Sequence, residues 1–199
     1  MNQQTFLIRD ERYIEKVFVE NLKNLLENLP EDFFVLKEGG EPYKPTLQTV
    51  AEWRLHPAQI PSIVVRVRYD RGVKPSSFSS FPIEEDRNFV RSFTAEGGYV
   101  LTILGLNEQQ LLHLRSIVLS FIGHPSFLEN LSKEGVALDL SYTLSEPVVR
   151  VASPTLKYFS CTIIGWLRVE WFLGEIREAE TIKKEISTIE QEQSNSSSS

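Results

Sequence analysis

LKYFSCTIIGWLRVEWFL, residues 156–173, is the stretch whose reading decides how this chain folds. Taken alternately, Phe159, Cys161, Ile163, Gly165, Leu167, Val169 and Trp171 fall on one side. Tyr158, Ser160, Thr162, Ile164, Trp166, Arg168 and Glu170 fall on the other. A period of two marks a strand with one dry face. Ordinary strands run about five or six residues, so this one is roughly three times the usual length. Two resolutions are open: the strand bends at Gly165, or it projects beyond its own core to pair with something else. Its second face is too apolar and aromatic for plain solvent, so it reads as a contact surface.

The flanking sequence supplies partners for such a strand. Val136–Leu144 alternates in the same way and predicts a half-buried strand, with Val148–Val151 its neighbour and Pro154 ahead of the long strand. Arg87–Ala95 and Tyr99–Leu104 flank Glu96-Gly97-Gly98 and predict a β-hairpin. Ile60–Tyr69 predicts a strand with Ile63, Val65, Val67 and Tyr69 on one face and Arg66 and Arg68 on the other. Phe33–Lys37 reads as a short strand stopped by Gly39-Gly40, and Thr46–Leu55 as either a strand or a short helix.

Helical signals are equally local. Asp10 caps a helix running to about Leu29, with Ile14, Val17, Phe18, Leu22, Leu25, Leu26 and Leu29 as one apolar stripe and Pro30 beyond it. Asn107 with Gln110 three residues on forms a capping box for a helix that Gly123 ends. Pro125 opens a second short helix that stops before Gly135. The expected fold class is therefore α+β: a mixed, mainly antiparallel sheet with a long C-terminal strand and a hairpin. An N-terminal helix and a central helix pair cover one face.

At 199 residues with 41% hydrophobic content, the chain is long and apolar enough for one real core. Residues 1–174 read as one domain. Residues 175–199 read as a charged, serine-ended tail in which Ala179, Ile182, Ile186 and Ile189 make a fragment of heptad, either a short coiled coil or a frayed end. Residues 70–86 form a long aperiodic loop carrying Phe78 and Phe81, which either docks on a partner or tucks onto the parent core. The N-terminus has no apolar run fit for a signal peptide, and no segment approaches the ~20 apolar residues of a membrane span, so a cytoplasmic site of synthesis and no membrane partner are expected. A net charge of −6 argues against a domain that grips a phosphate backbone.

Catalytic chemistry finds little footing. The single cysteine, Cys161, falls on the dry face of the long strand and reads as a small buried hydrophobe. His56, His113 and His124 are scattered without metal-ligand spacing; His113 reads as half-exposed and His124 as a cap or turn residue. Glu84-Glu85-Asp86 are adjacent and cannot easily aim at one cation, so they read as a solvated loop end. No nucleophile elbow or phosphate-cradling glycine loop occurs, and no catalytic, cofactor-binding or metal-binding residue is assigned. Arg66, Arg68 and Arg168 would form a basic stripe if their strands paired, though beside Glu170 they read as cross-strand partners.

The order of elements is an amphipathic N-terminal helix, the Ile60–Tyr69 strand after a Pro-rich entry, a long loop, and a hairpin ending in YVLTILG. A helix pair at 107–133 and the long aromatic strand follow. This order, over roughly residues 10–173, resembles tail terminator and head–tail joining (neck) proteins of tailed bacteriophages. The resemblance implies a non-catalytic structural protein of the virion, assembled in the host cytoplasm as a ring, commonly a hexamer. Its neighbours would be tail-tube and head-connector proteins, with DNA passing through the ring without specific binding. The long strand, the 87–104 hairpin and the 70–86 loop would carry the subunit contacts. Phe78, Phe81, Arg66, Arg68, Tyr158, Ile164, Trp166 and Arg168 are the expected interface residues. Two rival readings remain: a cytoplasmic adaptor whose exposed sheet edge accepts a partner strand, and a small hydrolase or transferase using His113, Asp139 or Glu84.

Overall fold

The great length of the final strand is met by equally long partners. A computed structural model of the chain describes residues 9–36, 40–52, 59–75 and 91–173. In it strand β7, Leu156–Leu173, runs for 18 residues and pairs antiparallel with β4, Arg91–Gly105, from Arg91↔Leu173 to Gly105↔Phe159 without a register shift. On its other side β7 pairs with β5, Val136–Leu144, and then β6, Val148–Ser153. Ser145 donates its N–H to the Thr162 carbonyl at 3.0 Å, so β5 and β6 follow one edge. The remaining strands are β1, Thr46–Thr49, β2, Ser62–Arg68, and β3, Val73–Pro75. The sheet order is β1-β2-β4-β7-β5, with β3 on β4 and β6 on β7; among the described strands only β1 and β2 run parallel. The fold is α+β.

Cross-strand partners share a face, so the register assigns every strand residue to one side. Ile63, Val65 and Val67 of β2 line up with Ile103, Leu101 and Tyr99 of β4, and these with Cys161, Ile163 and Gly165 of β7. This dry face meets three helices: α1, Glu11–Glu27, α2, Glu108–Ile122, and α3, Pro125–Lys133. Ile14, Phe18, Leu22, Leu111, Leu114, Val118, Phe127 and Leu131 fill the contact and are fully buried. The helix starts are those expected from the sequence. Asp10 accepts from the Tyr13 N–H at 2.8 Å, Asn107 from the Gln110 N–H at 2.8 Å, and His124 Nδ1 from the Ser126 N–H at 3.2 Å. Gln110 completes its end by accepting from the Leu106 N–H at 2.8 Å.

Four expectations are corrected. Glu96-Gly97-Gly98 is not a turn: β4 runs straight through it. Gly97 is needed for close approach, because a Cβ there would stand 1.8 Å from the Arg68 carbonyl oxygen. Residues 69–72 bulge there between β2 and β3, both of which pair with β4, and the bulge bonds back through Arg71 N–H to the Glu96 carbonyl at 3.2 Å. The tight two-residue turn of this sheet is instead Pro154-Thr155, between β6 and β7.

The expected Phe33–Lys37 strand is not one over its described part, Phe33–Leu36. Glu31–Phe34 is a 3-10 helix that starts after Pro30 and turns Phe34 into the core. The β5 strand is buried only at its start: Val136 is covered, whereas Leu140, Tyr142 and Leu144 are exposed. A register shift between Leu138 and Tyr142 accompanies that change. Finally, Gly165 interrupts nothing in the β4–β7 ladder. Tyr99 lies across it, and a Cβ there would meet the phenol ring at 2.4 Å.

The Thr46–Leu55 segment, left between strand and helix, contains β1. Cys161 is buried as expected, and burial raises its thiol pKa.

Candidate functional site

The helices occupy one side of the sheet, so function is to be sought on the other. The register places Arg66 and Arg68 of β2, Gly98 and Val100 of β4, and Ile164, Trp166 and Arg168 of β7 on this open face. Arg150 and Val148 of β6 join them opposite Tyr158 and Ser160. Six of the expected interface residues, Arg66, Arg68, Tyr158, Ile164, Trp166 and Arg168, therefore share one surface. Phe78 and Phe81 lie outside the described residues, as do His56, Glu84-Glu85-Asp86 and the heptad-like tail.

The face is not uniform. It is closed along the row where Ser62, Leu104 and Ser160 align, and Val64 beside this row is buried as well. Toward β6 and the far half of β7 it is open. Val148, Ile164 and Trp166 expose 43%, 40% and 36% of their surface, which is high for side chains of this type. Trp166 has a defined position. Its ring leans over Gly98, where a Cβ would lie 3.7 Å away, and the Arg71 guanidinium stacks on it at 3.8 Å from the ring centre. A stacked arginine holds the indole flat against the sheet through attraction to the ring's negative face.

Charges surround this stack. Arg168 pairs with Glu170 two residues along its own strand at 3.2 Å and stands opposite Glu96 of β4. The basic stripe expected from Arg66, Arg68 and Arg168 is thus divided, since β4 separates β2 from β7. Arg71, Glu96, Asp139, Trp166 and Arg168 line a shallow pocket of about 340 Å3 beside the β5 bulge. Asp139 accepts from the Ser141 N–H and hydroxyl at 2.8 and 2.7 Å, and these bonds hold its carboxyl below the ordinary carboxylate range.

Both sheet edges carry devices that blunt them. Beyond the end of β1, the edge of β2 is met by α1. Glu15 accepts from the Val67 N–H at 3.0 Å and Glu11 from the Tyr69 N–H at 2.6 Å. The spacing fits because four helical residues rise about 6 Å and two strand residues about 6.6 Å. The β5–β6 edge is broken by the bulge at 138–142 and by Ser145-Glu146-Pro147. Bulges, prolines and charges on edge strands oppose further strand pairing.

Elsewhere, Tyr43 hydrogen-bonds the half-exposed His113 Nδ1 at 2.7 Å, at the margin of a second pocket of about 450 Å3 formed by Leu36, Gly40, Glu41, Tyr43, Asn107, Gln109 and Gln110. Among the described residues, no three His, Cys, Asp or Glu side chains are grouped to hold a metal ion.

Arg71, Val148, Arg150 and Glu96 belong to the open face and were not singled out from the sequence. One signal for the strand pairing was present: two Gly-aromatic dipeptides, Gly98-Tyr99 and Gly165-Trp166, meet antiparallel so that each aromatic covers the other strand's glycine. No protein-family model matches this chain, and no curated protein matches its sequence.

Proposed function

We propose that this chain is a non-catalytic assembly subunit that associates through the open face of its sheet. Within that reading, it is a ring-forming tail terminator or neck component that joins tail to head in a tailed bacteriophage. The observation that carries the proposal is the one-sided sheet. Among the described residues all three helices lie on one face, while the opposite face presents Val148, Ile164 and the arginine-stacked Trp166. Interfaces concentrate Trp, Arg and aliphatic side chains in this manner, with mixed charges at the rim. Identical subunits in contact through two different patches generate rings when the rotation closes. Tail-tube and head-connector proteins are the expected neighbours above and below such a ring, and the virion is its location.

The adaptor reading is less well supported by the same geometry. A partner strand needs a long free edge, and here β2 is capped beyond the four-residue β1 while the β5–β6 edge is interrupted. Size-exclusion chromatography with light scattering at several concentrations tests the proposal. The expected species is a closed oligomer that adds to purified tails. A strictly monomeric protein that never joins tails would rule it out.

A further inference from the structure

The open face has the opposite charge sign to the molecule that bears it. Arg66, Arg68, Lys74, Arg150 and Arg168 lie on it by register, and Arg71 lies over Trp166. The anions beside them are Glu96, Glu170, Asp139 and Asp70, so cations prevail, in a chain whose net charge is −6. Four of those six excess charges belong to residues outside the described ones; the described residues carry 17 acids and 15 bases, and some of these acids gather away from the open face. One place is the end of the molecule where α2 begins. Asp32, Glu41 and Glu108 are exposed there around the pocket of about 450 Å3, while Glu31 is paired with Lys44 at 3.2 Å. The exposed side chains of Phe33 and Leu106 adjoin it: Leu106 precedes pocket residue Asn107, and Phe33 precedes Phe34, whose ring meets Tyr43 of the pocket.

From this we infer that the arginine–tryptophan patch of the open face docks on the acidic, pocketed α2 end of a second copy of this chain. The inference rests on the assembly reading above and names its two contact surfaces. The patch centres on the Gly98↔Trp166 row, and the pocket lies beyond Gly105. The two are separated by about 20–30 Å of strand, on different sides of the sheet. Surfaces so placed cannot both be satisfied by a twofold axis between one pair of copies, so the contact is head-to-tail. Apolar groups stand on both surfaces, Ile164 and Trp166 on one and Phe33 and Leu106 on the other, and opposite charges set the partner orientation. A phosphate polymer fits the patch less well, because Arg168 is already held by Glu170 and Arg71 by the indole face that a base would need.

Two charge-reversed variants of the full chain test this: Arg68→Glu with Arg71→Glu, and Glu41→Lys with Glu108→Lys. All four side chains are exposed, and unchanged circular dichroism and melting temperature show that each variant folds. Light scattering should find the wild type oligomeric, with a dissociation constant that weakens at least about tenfold between low salt and about 0.5 M NaCl. Each variant alone should be monomeric. An equimolar mixture should assemble again with the two variants alternating, because the intact patch then meets the intact pocket and the reversed patch meets the reversed pocket. The combined four-site variant, with both signs exchanged, should recover assembly. A wild type that assembles while either variant assembles equally well, or a mixture that stays monomeric, overturns the inference and leaves the assembly reading standing. A wild type that is monomeric at every concentration removes both. If that monomer binds a fluorescent single-stranded oligonucleotide and Arg68→Glu/Arg71→Glu abolishes binding, the patch belongs to nucleic acid instead.

Discussion

Tyr99 and Trp166 each lie across the glycine that faces them on the neighbouring strand, one on the helix side of the sheet and one on the open side. An aromatic ring over a cross-strand glycine shields backbone that would otherwise be bare, and at Gly165 the ring needs the glycine's missing Cβ to do so. Gly165→Ala should therefore destabilise the protein by about 1–3 kcal/mol in urea unfolding. In the Tyr99→Ala background the same change should cost much less, since the clashing ring is gone. Tyr99 has a second property. Its hydroxyl is buried with no hydrogen-bond partner among the described residues, and burial pushes its pKa up to about 12. Tyr99→Phe removes an unpaired polar group and should leave stability unchanged or raise it by up to about 1 kcal/mol, whereas most core substitutions lower it. Glu15 behaves as the opposite kind of buried group. Burial raises its carboxyl above the ordinary value of 4.5, and the bond from the Val67 N–H only partly offsets this. The folded chain therefore holds that proton more tightly than the unfolded chain, and ionised Glu15 weakens the fold as pH rises through its folded pKa. Glu15→Gln, which keeps an acceptor for Val67, should be more stable than the wild type at neutral pH. The gap should close on acidification, as urea midpoints at several pH values would show.

Individual elements differ in how plainly their sequences announce them. The three helices were legible because each start is marked by a side chain that caps its own backbone: Asp10, Asn107 and His124 act within three residues of themselves. The long strand was legible because its alternation persists over so many residues. Its neighbour β4 was misread because Gly97-Gly98 has the composition of a turn. Only the approach of Arg68 from β2, distant in sequence, reveals why a glycine is required there. The same limit applies to β5, whose apolar residues alternate correctly but are exposed because helix cover runs out. At this scale Trp166→Ala separates packing from association. The side chain is partly exposed and stacked by one arginine, so its loss should cost no more than about 1 kcal/mol of stability. If the open face is the contact, the same change should abolish self-association in light scattering. Loss of fold instead would mean that Trp166 is structural.

Across the described residues taken together, one sheet with helices on a single side leaves a surface that is neither core nor ordinary exterior. The same one-sided core gathers buried tyrosines. Burial lifts Tyr43 and Tyr99 to about 12 and Tyr69 higher still. Their stabilising contribution is complete below the unfolded tyrosine value of about 10 and is lost as pH rises from there. Alkaline unfolding should accordingly begin above about pH 10, with tyrosinate absorbance and circular dichroism changing together. Separate transitions would contradict this linkage. The sequence by itself determined the α+β class, the helix limits, the great length of β7 and which of its faces is dry, because these follow from periodicity and caps that act over a few residues. It also picked out six residues that prove to share the open face. Only the tertiary structure decided that β4 is one strand, that it separates Arg66 and Arg68 from Arg168, and that Arg71 covers Trp166. Those facts depend on register between segments far apart in the chain, and no local pattern carries register. The 156–173 strand was first notable for its length. Paired on both sides, its length needs no outside partner, and what remains unpaired is its Trp166 face.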